Sequence, residues 1–359
     1  MLAFTERMYD VEIDNTQEAL LVADIGGTNS NFGVLQQRNG HYHLLISLHV
    51  KSQEIDDFPA VFNDVLNYIC TKWHLKITQA CIAAAGVVSE QRDYCKPTNL
   101  HFSINVHDIL QATGLKCIIL LNDFEVIGYG IPLVEEKSLI CVYEGSERKH
   151  AQKAIIGAGT GLGKSILYWN DYVERYVALP SEGGHADCSV QTQLELDLIE
   201  FIRKKEARTC NISWEDVLSG NGIQRMYAFF KSRNNNVTSH KHLSKNGLHP
   251  DEIFNSRNLD PHARATYELY ARLYARCVKC FALDALALAG VYIAGGIAAH
   301  NVAMFKEPYF IDEFLNCGKQ HELLASIPLY VIADYDVSLY GAAEYMRLEA
   351  PCSVVCNDK

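Results

Sequence analysis

Three times in this chain an apolar run with the character of a buried strand ends in a cluster of glycines. The runs are ALLVADIGGTN (Ala19 to Asn29), AIIGAGTGLGKS (Ala154 to Ser165) and VYIAGGI (Val291 to Ile297). Glycine has no Cβ, so successive backbone N–H groups approach an anion closely. In α/β folds, ligands collect at the carboxyl ends of strands. A single such turn is weak evidence, because glycine ends many ordinary strands. Two familiar fingerprints do not fit. GTGLGKS resembles the tail of G-x-x-x-x-G-K-[ST], but the interval from Gly159 to Lys164 has the wrong spacing. Gly157 and Gly159 open a G-x-G pattern, but no acidic ribose partner completes a dinucleotide site.

The segments between these turns alternate strand and helix. NFGVLQQ and YHLLISLHV stand at hairpin spacing across Arg38-Asn39-Gly40-His41. Phe58 to Lys72 has helical apolar spacing, QACIAAAG reads as a strand ending at Gly86, and Val106 to Thr113 reads as a short helix. KCIILLND is a third strand, and FEVIGYGI opens a helix. After Pro132 the strand–glycine–strand pattern restarts as a weak internal repeat, which suggests two related halves. A long helix is expected from Pro261 to Ala289 with Gly290 as its C-cap, IPLYVIAD as the last strand, and a closing helix from Tyr340 to Leu348. The polar segment Lys231 to Pro250 reads as a surface loop, and RKKEAR at 203–208 as a solvated helix face. The whole is α/β, and 359 residues suggest two domains at roughly 150 residues each.

Lys and Arg number 32 against 43 Asp and Glu, so the net charge is −11 and bulk attraction for nucleic acid or an anionic membrane is not expected. The 12 cysteines are scattered, many of them in apolar runs. In a long, core-rich chain they read as reduced thiols rather than a disulfide framework. Cys277 and Cys280 form C-x-x-C, but Leu269 and Leu273 continue the same helical spacing, which makes them one apolar face. The acidic N-terminus does not read as a signal peptide, and the most apolar stretch, Phe281 to Ile297, is too short and too broken by Asp284 and glycines to span a membrane. A cytoplasmic protein is expected.

Four places carry side chains suited to chemistry. Asp24 ends the first strand beside a phosphate-type turn, where an acid is repelled unless a cation intervenes. A Mg²⁺ role through water is therefore expected, against the alternative of a turn-capping Asp. Thr28 and Thr160 add hydroxyl donors to their turns. Asp123, after Asn122 at a strand end, can accept a proton from a substrate hydroxyl or can cap the following helix. Glu182-Gly183-Gly184-His185 reads as a rigid loop presenting a carboxylate and an imidazole, a pair suited to vicinal sugar hydroxyls.

Taken in order, DIGGTN, ILLNDF, GAGTGLG, PSEGGH, WEDVLSGNGI and YIAGGI resemble the bacterial-type glucokinases, of the superfamily of sugar kinases, actin and heat-shock chaperones, over residues 18–350. The resemblance implies a two-domain, actin-like or hexokinase-like α/β fold with a cleft between the domains. The small domain would be 18–133 plus 334–359, the large domain 134–333, and 1–17 a loose extension. It implies phosphorylation of glucose at the 6-hydroxyl by ATP with Mg²⁺, the first step of glycolysis. Asp123 is then the base. Asn122, Glu182, His185, Glu215 and, less directly matched, Thr98 and Asn99 bind the sugar. Gly26, Gly27, Thr28, Asn29, Gly159, Thr160 and Gly161 handle phosphates, Gly295 and Gly296 lie near adenosine, and Asp24 meets Mg²⁺ through water. A homodimer is the expected assembly.

The chain departs from the family at Ser30-Asn31, where Ala-Arg is frequent, and at Lys164, where a small apolar residue is usual. Lys164 is expected to replace the missing cation in part. The longer N-terminus and the tail PCSVVC are also atypical. Alternatives on the same scaffold are a kinase for another hexose or N-acetylhexosamine, or an actin-like ATPase without sugar chemistry. The kinase–repressor relatives usually carry a zinc cluster after their E-G-G-H-like segment, and only Asp187-Cys188 follow here, so no zinc is expected. A DNA-binding domain is not expected in the 23 residues before Asp24.

Overall fold

The strand Glu18–Ile25 carries six apolar residues, all buried, on both of its faces, and the rest of the first unit is built around it. The structure is a computed structural model that describes residues 4–233 and 248–349 and the backbone of 355–356. The chain divides into two units: residues 1–135, 170–180 and 334–359, and residues 136–169 and 181–333.

The first unit contains β1 (Thr5–Met8), β2 (Glu18–Ile25), β3 (Asn29–Arg38), β4 (His41–Lys51), β5 (Lys76–Ala84), a two-stranded ribbon of β6 (Tyr94–Cys95) and β7 (Ile104–Asn105), and β8 (Cys117–Asn122). β2, β3 and β4 run antiparallel, whereas β2, β5 and β8 run parallel, so the carboxyl ends of those three strands share one edge. Asn39 (φ 50°) and Gly40 (φ 82°) take the left-handed conformations of a tight hairpin turn, as Asn-Gly spacing predicts. The helix Phe58–Trp73 begins on an Asp57 cap and packs Phe58 and Phe62 beside Phe32 and Phe102. The helix Val106–Thr113 begins on Asn105 and ends on Gly114 at φ 69°.

The second unit contains β9 (Leu139–Tyr143), β10 (Lys153–Ala158), β11 (Leu162–Asn170), β13 (Val291–Ala294) and β14 (Leu329–Ile332); β12 (Arg175–Ser181) falls almost wholly in the 170–180 segment of the first unit. β11, β10, β13, β14 and β9 lie side by side in that order, with β10, β13 and β14 parallel. The core helix Pro261–Asp284 buries Tyr270, Tyr274 and Cys277 beneath this sheet's residues Ala154, Ile156 and Ala158. A last short strand, β15 (Val355–Cys356), pairs with β8 at the edge of the first unit's sheet.

Several expectations need correction. Residues 1–17 are not all loose. β1 pairs with β4, Phe4 meets the Tyr68 ring edge-on, and Glu6 accepts from the Tyr68 hydroxyl and the Lys72 ammonium. The last strand is β15, not IPLYVIAD. The long helix stops at Asp284, five residues before the expected end at Ala289. There Leu286 adopts φ 46°, Leu286 N–H donates to Leu283, and Ala287 N–H donates to Ala282. This is the paired-bond C-terminal motif normally signalled by glycine, here built on leucine. Arg203, Lys204 and Lys205 do face solvent, but Arg208 is half-buried and holds Asp216. The loop expected over Lys231 to Pro250 lies largely outside the described residues, since 234–247 are not described.

Candidate active site

In the first unit the sequence-predicted residues gather at the carboxyl edge of the parallel strands. β2 runs into the Gly26–Asn29 turn, closed by Gly26 N–H donating to Asn29 O at 3.1 Å. Asp24 faces the end of the helix Val337–Glu349, where the Ser338 hydroxyl donates to Asp24 Oδ2 at 2.6 Å. Desolvation pushes the Asp24 carboxyl up from its usual range, and the Ser338 bond opposes that only in part.

Two residues that the motifs do not mark hold this turn in place. The Ser52 hydroxyl donates to Gly26 O at 2.6 Å, and Ser52 N–H donates to Thr28 O at 2.9 Å. Gln53 Nε2 donates both to Gly27 O and to Asn99 O, each at 3.1 Å. One amide therefore bridges the glycine turn and the Thr98-Asn99 turn, and Thr98 N–H is itself anchored to Ala85 O at 3.2 Å. The departures Ser30, buried, and Asn31, half-buried, both find side-chain partners. Ser30 shares a 2.9 Å hydroxyl contact with Ser52, and Asn31 Oδ1 lies 2.5 Å from His49 Nδ1.

Asn122 is the helix cap, so the capping alternative for Asp123 fails. Asn122 Oδ1 accepts from Phe124 and Glu125 N–H, and its Nδ2 donates to Gly86 O at 3.1 Å. Most of that buried amide is thus spent on structure. Asp123 occupies the first helical position, half-buried, with one carboxylate oxygen 3.0 Å from Phe124 N. Two residues on, the buried Glu125 forms a two-pronged pair with Arg92 at 2.8 and 3.2 Å, which ties the loop after Gly86 to this helix. No motif announced that pair.

In the second unit the remaining residues meet around the ends of β10, β11 and β13. Gly159 N–H donates to Gly161 O, and Gly220 N–H donates to Gly159 O, both at 2.9 Å. Gly295, at φ 87°, sits so close to Ala158 that a Cβ there would lie 2.6 Å from its carbonyl oxygen. The Gly295-Gly296 turn therefore stands beside the Gly159–Gly161 turn, because β10 and β13 are parallel neighbours in register at Gly157 and Ala294.

Glu182 and His185 are both exposed, with Oε2 and Nε2 3.7 Å apart. Gly184 between them is buried, and a Cβ on it would fall 1.9 Å from Leu162 O. The chain after His185 bridges to the next predicted segment: Trp214 N–H donates to Ala186 O at 2.9 Å, and Asp187 pairs with Ser213. Ser213 and Asp216 cap the helix Trp214–Val217 reciprocally, and Glu215 projects from its first turn to accept from Leu162 N–H at 2.9 Å. Lys164, the expected partial replacement for the missing arginine, packs beside Gly183. It is buried, and its ammonium lies 5.0 Å from the Phe281 ring centroid, where its charge acts on the Cys277 thiol. Burial pushes that thiol up to about 12 against the pull of the Lys164 charge.

Among the described residues no three His, Cys, Asp or Glu side chains converge to cage a metal, and no helix is long and apolar enough to cross a membrane. Asp24 is therefore a single hard oxygen donor at a phosphate-type turn. That donor set fits an ion such as Mg²⁺, which keeps several waters and is completed by substrate phosphates.

The glucokinase family model matches residues 21–349. The chain is 31% identical to a glucokinase of Nostoc sp., covering 90% of this chain and 97% of that one. It is 27% identical to a glucokinase of Photorhabdus laumondii, covering 91% and 96%. Its fold matches the crystal structure of a glucokinase from an Antarctic psychrotroph at 26% identity and TM-score 0.73, covering 91% and 98%. It also matches that of a glucokinase from Balamuthia mandrillaris in complex with glucose, at 20% identity and TM-score 0.78, covering 92% and 93%. The expected two-domain sugar-kinase fold is borne out, and the chain belongs to the glucokinase family.

Proposed function

We propose that this chain transfers the γ-phosphoryl group of ATP to the 6-hydroxyl of D-glucose. The observation that carries the reading lies in the first unit. Asp123 stands at a strand's carboxyl end with helix capping given over to Asn122, at the same sheet edge as a glycine turn that Gln53 ties to Thr98-Asn99.

Phosphoryl transfer depends on positioning and on charge stabilisation more than on covalent help from the protein. Asp123 accepts the proton of the attacking hydroxyl as the bond to phosphorus forms. Glu182, His185 and Glu215 orient the ring hydroxyls, with carboxylates accepting and the imidazole able to do either. Thr98 and Asn99 add contacts from the turn that Gln53 secures. Backbone N–H groups of Gly26 to Asn29 and Gly159 to Gly161 supply fixed donors to phosphate oxygens. Gly295 and Gly296 leave room for the adenosine. Mg²⁺, held by Asp24 through water, neutralises phosphate charge when bound. A cytoplasmic setting and a homodimeric assembly complete the proposal.

A coupled assay of the purified protein against a panel of hexoses, N-acetylhexosamines and phosphoryl donors tests the reading. Glucose with ATP is expected to give the highest kcat/KM. A better turnover of another sugar would reassign the substrate, and equal ATP hydrolysis with no sugar present would remove sugar chemistry altogether.

A further inference from the structure

The Leu162 peptide lies between two functional segments of the second unit. Its N–H donates to Glu215 Oε2 at 2.9 Å. Its carbonyl oxygen occupies the space that a Cβ on Gly184 would need. Leu162 directly follows the Gly159–Gly161 turn, opens β11 and is itself buried. A carboxylate expected to bind the hexose is thus bonded, through one peptide unit, to the turn expected to bind phosphate.

Glu215 is held firmly enough to act as a strut. It stands in a one-turn helix capped reciprocally by Ser213 and Asp216. Asp216 is gripped by Arg208, while Arg225 donates to the Asp216 carbonyl at 2.9 Å. Arg225 and Arg208 also share Glu206. The far end of the turn is fixed by Gly220 N–H on Gly159 O, from the segment just after that helix. The turn is therefore clamped at both ends by residues 215–220.

We infer that Glu215 is a positioning residue for the phosphate turn as well as a hexose ligand. One carboxylate oxygen holds Leu162 N–H while the other meets the sugar. This rests on the proposed hexose-kinase reading for the identity of the two ligands. The hydrogen bond is charge-assisted, a class stronger than neutral ones. Its loss leaves the Leu162 N–H in a buried peptide without its acceptor, and the turn relaxes.

The test is MgADP affinity measured by calorimetry with no sugar present, together with hydrogen exchange of the Leu162 amide. Glu215→Ala is expected to weaken sugar-free MgADP binding about tenfold and to speed exchange at Leu162. Glu215→Gln keeps a carbonyl oxygen that can accept from Leu162 and is expected to stay within about twofold of the parent chain in both readouts. Should Glu215→Ala fail to fold, Glu215→Asp, which keeps the charge but withdraws it, serves in its place. The inference is overturned if Glu215→Ala binds MgADP like the parent chain, if Leu162 exchange is unchanged, or if Glu215→Gln loses as much as Glu215→Ala. Glucose affinity, read from tryptophan fluorescence in the same variants, separates the two ideas. If it is unaffected throughout, the sugar role of Glu215 falls, and the nucleotide result still decides the strut.

Discussion

The Ser338 hydroxyl donates to Asp24 Oδ2 at 2.6 Å, joining the first residue turn of a late helix to the end of an early strand. The bond satisfies one lone pair of a carboxylate that burial otherwise leaves poorly solvated, and its pKa rises accordingly. A carboxyl raised in the folded state holds its proton more tightly folded than unfolded. Ionisation therefore costs stability as pH climbs through the window above 3.8. Asp24→Asn removes that cost. It is expected to melt at a higher temperature than the parent chain near about pH 7, with the gap closing as pH falls to about 4. Calorimetry across that range checks the sign, and a variant that melts lower at neutral pH would contradict it. The same substitution is expected to lower activity, a trade of function against stability.

Asp123→Asn is expected to reduce kcat by at least about 100-fold with glucose KM little changed. The helix survives because Asn122 caps it. Steady-state kinetics with circular dichroism as the folding control decide the matter, and a variant that keeps most of its turnover removes Asp123 as the base. Asn122→Ala should instead destabilise the protein by about 1 kcal/mol through loss of the cap.

Gln53 is exposed and belongs to none of the sequence motifs, yet it bridges Gly27 and Asn99. Gln53→Ala is expected to raise KM for both ATP and glucose by roughly 3–10-fold while costing only about 1 kcal/mol of stability. A change in neither KM would mean the two turns hold their places without it.

Arg276 is 2% exposed and pairs with Glu195 and Glu313, each within 2.8 Å, while also donating to Ser189 O at 3.1 Å. Burial alone would raise the Glu195 carboxyl, but Arg276 and the N–H groups of Gln191 and Thr192 hold it below its usual value. Its contribution to stability is present above 4.5 and lost as pH falls through the lowered folded value. Arg276→Leu leaves the buried Glu195 carboxylate without a cation, while Glu313 keeps Lys279 at 3.3 Å, and the substitution is expected to cost about 3–5 kcal/mol, read as a lowered urea midpoint. A shift of well under about 1 kcal/mol would show that the network is dispensable.

The strands, the hairpin and the glycine turns were legible because apolar runs, Asn-Gly and glycine clusters carry local signals. The helix end at Asp284 was not, since Leu286 takes a conformation that favours glycine and Gly290 offered a more obvious stop. Within the candidate site, residues in motifs were readable in sequence, whereas their supports were not. Gln53, Ser52, Arg92 and Ser338 each act across a large sequence separation through one to three polar contacts, and no spacing rule records such pairs. The burial of Lys164 was hidden for the opposite reason. A cation beside a phosphate-type turn invites an electrostatic role, but strand alternation turns it inward onto Phe281.

The short strand at the amino end covers backbone that would otherwise lie bare. β1 satisfies part of β4 from Ile46 to His49, and Tyr9 follows it with an N–H bond to Leu45 O and a hydroxyl bond to Asp336. Trimming the chain ahead of Asp10 would leave an eleven-residue strand, rich in leucine and isoleucine, as a naked sheet margin. Such margins template pairing between molecules. The shortened protein is expected to form soluble multimers and then precipitate, visible by light scattering, so a purification handle is better joined to the intact amino end than substituted for it.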